Sequence, residues 1–289
     1  MNIALISRKG SVARTTTAVN MGAALAAAGK RVLLIDLDAQ GAASRSLGVE
    51  RGQLAPSMAD VLLSHLPLEK AIRTTGVEGL DLVTGSADLS AVESTLAPVR
   101  HREQCLRRPL EEIQSPYDVV LLDSPSGLAL LATAALVASD AHLVALTPQF
   151  LVLDGLQNFL DGVERLRYRL GSRSRRLGML LTQVDYRTKT TRPYVTDLKQ
   201  AHGDEVFETE IRINVRLAEA PSFGQTIYQY APESTGATAY TKLAEEVLAR
   251  YQVRSQGEEP RCAPRPVFQR NRSGARRRLS QTAKAAGRT

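Results

Sequence analysis

Residues 7–20 read SRKGSVARTTTAVN, and the rest of the chain is read outward from them. They follow a short apolar run, IALIS at residues 3–7, and open onto TTTAVNMGAALAAAG, a helical stretch with an Ala-rich packing face. Gly29 closes that stretch, as glycine does at many helix C-termini. A strand–loop–helix turn of this kind aims backbone N–H groups and the positive helix end at a bound phosphate. Two positions are unusual for such a loop. Ala13 stands where glycine is favoured, and Arg14 stands where a lysine reaches the phosphates.

The pattern continues as strand and helix in alternation. Near-continuous apolar runs at residues 31–38 (RVLLIDLD), 80–85 (LDLVTG), 117–125 (YDVVLLDSP), 141–148 (AHLVALTP), 177–185 (LGMLLTQVD) and 206–211 (VFETEI) predict buried strands. Residues 154–169, 193–201 and 237–251 predict helices between and after them. Apolar strands separated by helices imply an α/β fold with a mostly parallel, twisted sheet covered by helices on both faces. Ligands of such sheets sit at the carboxyl ends of the strands. Lys9, Asp38 and Asp123 all fall at those ends, which points to one shared site. Thr15 and Thr16 open the first helix, where a hydroxyl can meet Mg²⁺ or a phosphate oxygen. Asp123 is placed to hold Mg²⁺ or its water, and Asp38 to orient an attacking water.

Composition bounds the alternatives. The chain has 289 residues, of which 43% are hydrophobic, enough for a sizeable core. Trp is absent and aromatics are 4%, so no platform for stacking single-stranded bases is expected. Cys105 and Cys262 are too far apart to suggest a disulfide framework or a metal cluster. No run approaches the ~20 apolar residues of a membrane span, and a reducing, cytoplasmic setting is expected. The net charge is +7. Residues 254–289 carry ten Arg or Lys against two Glu, a balance of +8, which leaves −1 for residues 1–253. Two segments are therefore expected: a folded domain over 1–253 and a basic, disordered tail over 254–289, rich in Arg, Pro, Ser and Gly. Tails of this composition bind polyanions by counterion release. The basic stretch at 165–176, RLRYRLGSRSRR, is read as a solvated helix end, with DNA contact as the alternative.

Three motifs carry a family resemblance. KGSVARTTT at 9–17, VLLIDLDAQG at 32–41 and YDVVLLDSP at 117–125 resemble those of the ParA/Soj branch of the deviant Walker A ATPases, P-loop NTPases related to MinD. The resemblance runs on through GMLLTQVDYRTK and NVRLAEAPSFGQTIYQYAPESTGATAYTKLAEEVL and covers about residues 1–250. It implies a P-loop NTPase that binds ATP or ADP with Mg²⁺ and partitions chromosomes or plasmids. It implies a homodimer formed on ATP binding, non-specific binding to double-stranded DNA on the nucleoid, and a ParB-like partner that stimulates slow hydrolysis. Carried over by position, Lys9 is the lysine that crosses the dimer to the partner's phosphates. Gly10, Ser11, Val12 and Ala13 form the loop, and Arg14 takes the loop-lysine place. Thr15 is the Mg²⁺ ligand, with Asp38 and Asp123 at the same metal, and Thr16 contacts phosphate. Asp38 also positions water, Asp123 is the Walker B carboxylate, and Asn214 lies in the segment that contacts adenine. Arg187 and Arg216 match arginines of the DNA-binding surface, and Arg276, Arg277 and Arg278 of the tail are counted with them.

This chain departs from the family pattern mainly at the site: Ser11 and Ala13 for Gly, Arg14 for Lys, Ala39 for Pro, Ala42 for Asn and Arg212 for Pro. A methyl on a left-handed residue costs about 1–2 kcal/mol. A guanidinium is a planar fork where an ammonium is a point charge. Misplacing a cation at a transferring phosphoryl group costs ~2–4 kcal/mol, on the order of 10²–10³ in rate. Nucleotide binding with weak hydrolysis is expected. The alternative is a ParA-like pseudo-ATPase acting as a DNA-binding or dimerisation regulator. A membrane-associated MinD-like role is disfavoured, because RRRLSQTAKAAGRT lacks the apolar face of an amphipathic anchor. The iron–sulfur relatives of the fold need paired cluster cysteines, which Cys105 and Cys262 do not supply.

Overall fold

The phosphate-loop strand lies inside a seven-stranded sheet. The computed structural model describes residues 1–114 and 117–256, with side chains through residue 253. The strands are β1 (Asn2–Ile6), β2 (Val32–Asp36), β3 (Ile72–Thr74), β4 (Leu80–Val83), β5 (Val119–Asp123), β6 (Ala141–Leu146) and β7 (Arg175–Leu181), in the order β3-β4-β2-β5-β1-β6-β7. Each neighbouring pair is parallel except β3 with β4. Strands β2, β5 and β1 are therefore adjacent, and pairing sets Asp123 opposite both Leu5 and Asp36.

Burial on both faces explains the apolar runs. On β1, Ile3 and Leu5 join the core on one face, while Ala4 and Ile6 join the core on the other. Val32 and Leu34 of β2 separate from Leu33 and Ile35 in the same way, as the two-residue period of a strand requires. The first face is covered by α1 (Arg14–Ala27) and the C-terminal helix, α7 (Thr235–Gln256), whose Tyr240 is fully buried. The other is covered by α3 (Leu130–Ala138), α4 (Leu156–Leu170) and α5 (Thr191–His202). Two shorter helices, α2 (Ala42–Ser46) and α6 (Val215–Glu219), sit near the strand ends. The Ala-rich face of α1 suits this arrangement: Ala18, Ala23 and Ala24 are buried, and a Cβ at Gly22 would meet Leu80 at 3.3 Å.

One reading of the sequence needs correction, and one strand escaped it. Residues 206–211 form no continuous strand; they meet the β7 edge at isolated points, with the Phe207 and Ile211 N–H groups donating to the Met179 and Leu181 carbonyls at 2.9 Å each and bridges at Val206 and Arg212. The backbone N–H groups of Glu208 and Thr209 donate instead to the Glu246 carboxylate of α7, at 2.9 and 3.0 Å. Conversely, β3 is three residues long, too short for any period to mark. The stretch at 165–176 leaves Arg165, Arg169, Arg173 and Arg175 exposed, while Arg167 and Arg176 are mostly covered. It ends α4 at Gly171, in the left-handed region, with Arg167 paired to Glu164 at 2.6 Å and Arg176 to Glu205 at 3.2 Å. The basic run beyond Gln256, with Arg276, Arg277, Arg278 and Cys262, lies outside the described residues. Among the described residues no helix is long and apolar enough to cross a membrane.

Candidate functional site

The loop from β1 to α1 is built by backbone conformation. Ser11 and Ala13 both adopt the left-handed region, with φ of 59° and 52°, where glycine sits without penalty and an L side chain does not. The two positions at which the resemblance implies glycine are thus the two non-glycine positions of the loop with positive φ. The strain is held by buried anchors. Thr182 donates to the carbonyl of buried Val12 at 2.9 Å, and the Thr17 hydroxyl donates to the Ala13 carbonyl at 2.8 Å while meeting the Tyr240 hydroxyl at 3.2 Å. Thr15 and Thr16, in the first turn of α1, are half-buried. Gly10 is exposed, with open space where a Cβ would stand. Lys9 is half-buried and enters none of the ion pairs formed among the described residues.

Arg14 turns inward. Its side chain is 7% exposed and spans the ends of three strands. Nε donates to Asp123 Oδ1 at 2.9 Å, one terminal nitrogen to Ser7 Oγ at 3.0 Å, and the other to Asp38 Oδ2 at 3.3 Å. Asp123 is fully buried. Burial pushes its carboxyl above the usual range, against the pull of the Arg14 guanidinium and of the nearby Thr15 hydroxyl. Its second oxygen, Oδ2, is sealed from solvent and has no hydrogen-bond partner among the described residues.

A third carboxylate completes the cluster, and motif reading passed it over. Asp36, the last residue of β2, is fully buried; burial first, and then the Asp123 carboxylate, push it up to about 7. It accepts from the Ser44 N–H and hydroxyl at 2.9 and 2.7 Å, and from the Asp38 N–H at 3.1 Å. Gly85, at the end of the β4 run, is required beside it: a Cβ there would meet the Asp38 carbonyl at 2.6 Å and the Asp36 carboxyl carbon at 2.9 Å. The signal for Asp36 was present in VLLIDLD, which ends in two carboxylates. Ser7, Ser44 and Gly85 carried no signal.

The donor set tests the Mg²⁺ expectation. Thr15, Asp38 and Asp123 offer the hard oxygens the ion prefers. Yet Arg14 holds one oxygen of each carboxylate, the Gln40 N–H takes Asp38 Oδ1 at 2.9 Å, and Asp123 Oδ2 has no face open to water. With Arg14 in this position these residues do not fit a hydrated divalent ion.

The other predicted residues lie on the surface beyond the loop. Asn214 caps α6: its Oδ1 accepts from the Arg216 and Leu217 N–H groups, and its Nδ2 donates to Thr235 Oγ1 at 3.0 Å. Arg187 is 83% exposed and makes a two-pronged pair with Asp185 at 2.8 and 2.9 Å. Arg216 is 58% exposed, pairs with Glu219 at 2.9 Å and lies over the Tyr230 ring. Arg212 stands 5.2 Å from the centre of the Tyr186 ring, with Arg192 at 5.1 Å from the same ring. Arg187, Arg212 and Tyr186 share a groove of about 470 Å³ with Ile213 and Val215.

Known proteins place this architecture. A family model described as an AAA domain matches residues 1–175. The chromosome partitioning protein ParA of Caulobacter vibrioides is 41% identical over 250 residues, covering 86% of this chain and 94% of that protein. The chromosome-partitioning ATPase Soj of Thermus thermophilus is 44% identical over 254 residues, covering 86% and 96%. Among solved structures, cobyrinic acid a,c-diamide synthase of Mycobacterium smegmatis, with a bound ATP analogue and magnesium, superposes with a TM-score of 0.75 at 31% identity, covering 87% of this chain and 95% of that one. The parallel sheet, the loop between β1 and α1 and these likenesses lead to one conclusion: the chain has the P-loop NTPase fold and belongs to the ParA/Soj family of partitioning ATPases.

Proposed function

We propose that this chain is an ATP-binding partitioning protein whose own hydrolysis is weak. ATP or ADP sits on the loop at residues 9–16, with Asn214 toward the adenine and Lys9 reaching the phosphates of a partner copy. ATP binding drives a twofold dimer. The dimer binds double-stranded DNA without sequence preference through Arg187 and Arg216, helped by the tail at 254–289, and a ParB-like partner releases it. The setting is the cytoplasm, on the nucleoid. The observation that supports this reading most is the convergence of the loop, the N-terminus of α1, Asp38 and Asp123 at the ends of three adjacent strands. The Mg²⁺ expected on Thr15, Asp38 and Asp123 requires Arg14 to leave both carboxylates.

One observation favours a second reading, the pseudo-ATPase. Arg14 is committed to Asp123, Asp38 and Ser7, and a cation held there is not available at the β and γ phosphates. Measured turnover with DNA and a ParB-like partner separates the two. A slow rate above background supports the weak ATPase. A rate at background, with a dimer in sedimentation that is indifferent to ATP and to Lys9→Ala, supports the pseudo-ATPase regulator. A chain that binds no ATP refutes the first reading.

A further inference from the structure

The Arg14 guanidinium has three donor edges in use, one each on Asp123, Asp38 and Ser7. A lysine at this position would bring one compact ammonium, unable to bridge the carboxylates as a planar fork does. We propose that Arg14 is the resident cation of the Asp38–Asp123 site and keeps a divalent metal off both carboxylates, so that the loop takes a nucleoside polyphosphate without metal assistance. The second half rests on the nucleotide reading above; the first half is a property of the nucleotide-free chain.

The geometry argues for exclusion in three ways. Each oxygen of Asp38 already accepts one hydrogen bond, from Arg14 and from the Gln40 N–H, so a metal ion on Asp38 has to compete with the guanidinium. Asp123 offers Oδ2 alone, and that atom is enclosed by protein. Mg²⁺ demands near-octahedral ligands and keeps several of its waters, so a hydrated ion has no approach to an enclosed oxygen. A divalent ion would also stand beside a guanidinium in a buried site, where repulsion is weakly screened. Arginine does not deprotonate in proteins, so pH does not remove the obstacle. Asp36 offers no alternative, since its oxygens accept from Ser44 and the Asp38 N–H. What remains for a polyphosphate is the N–H groups of the loop and of the first turn of α1, which need no metal to bind an anion.

Mn²⁺ binding to the full-length, nucleotide-free chain, followed by electron paramagnetic resonance, tests the first half. The wild-type chain is expected to bind Mn²⁺ no better than Asp123→Asn. Arg14→Ala is expected to gain on the order of tenfold in affinity, and Arg14→Ala/Asp123→Asn to lose the gain. If Arg14→Ala does not fold, Arg14→Lys serves, with a gain in the same direction. Wild-type binding on the order of tenfold tighter than Asp123→Asn overturns the proposal, and so does the absence of any gain in a folded Arg14 variant. A fluorescent ATP analogue, titrated with Mg²⁺ and with EDTA, tests the second half. Wild-type affinity is expected to stay within about twofold between the two conditions, and that of Arg14→Lys to differ on the order of tenfold. A wild-type chain that depends on Mg²⁺ as steeply as Arg14→Lys overturns the second half. If the analogue binds in neither condition, the nucleotide reading falls, while the Mn²⁺ titration still decides exclusion.

Discussion

Two of the arginine–carboxylate pairs in this molecule, one at the strand ends and one on the surface, stand at opposite extremes of burial. At the strand ends Arg14 is 7% exposed and meets a fully buried Asp123 at 2.9 Å. On the surface Arg187 is 83% exposed, and its pair with Asp185 is as short, at 2.8 Å. Distance alone would rank them equal. Burial separates them. An exposed pair gains little, because water and salt screen it, so under the proposed DNA reading Arg187 and Arg216 would leave their carboxylates at small cost. A buried pair broken on one side leaves an uncompensated charge, so Arg14 does not exchange freely. The same residue type is therefore a fixture in one place and a weakly held surface cation in the other.

The comparison breaks first at Arg14. Arg14→Ala should destabilise the chain by about 3–5 kcal/mol, because Asp123 stays buried without its counter-charge. That corresponds to a fall on the order of 10 °C in Tm for a domain of this size, read by calorimetry. An unchanged Tm would mean that Arg14 does not lie on Asp123 in solution. The next effect belongs to the tail. Deleting residues 257–289, which spares α7, removes nine Arg or Lys. The slope of log K against log[salt] for a random duplex should drop by several units, since each lost phosphate contact takes roughly 0.9 with it. A slope that stays put would assign the binding to the folded surface.

Smaller effects sharpen the contrast. Combining Ala13→Gly with Arg14→Lys relieves the left-handed methyl and restores a compact cation. Turnover should rise at least ~10-fold, a barrier change of about 1.4 kcal/mol. Equal rates would remove these two positions as the limit on hydrolysis. Least visible in stability is the surface pair. Arg187→Ala combined with Arg216→Ala should leave Tm unmoved. The double variant should also weaken DNA binding and abolish its dependence on ATP. Retained ATP dependence in a filter-binding assay would show that the two arginines are not the surface that senses the dimer.

Much of this arrangement was legible in the sequence. Strands buried on both faces are near-continuous apolar runs, so β1, β2, β4, β5, β6 and β7 announced themselves, and helices between them implied a parallel sheet. The need for positive φ at Ala13 could be argued from the loop type, and Ala13 has φ of 52°. The rest depends on partners distant in sequence. Residues 206–211 read as a strand, and Phe207 and Ile211 do bond β7, but between them Glu246, 38 residues beyond Glu208, takes the Glu208 and Thr209 donors and interrupts the ladder. Asp36 becomes a member of the carboxylate cluster only because strand pairing sets it opposite Asp123. The inward turn of Arg14 is of the same kind: residue type gave its charge, while its partners Asp123 and Asp38 come from other strands.

A crystal structure of the wild-type chain with a non-hydrolysable ATP analogue and Mg²⁺ tests the central claim most directly. The account predicts the analogue on the loop at residues 9–16, the Arg14 guanidinium still within hydrogen-bond distance of Asp123 and Asp38, and no metal between Thr15 and Asp123. A metal ion bound to Thr15 and Asp123, with Arg14 displaced onto the phosphates, would contradict it.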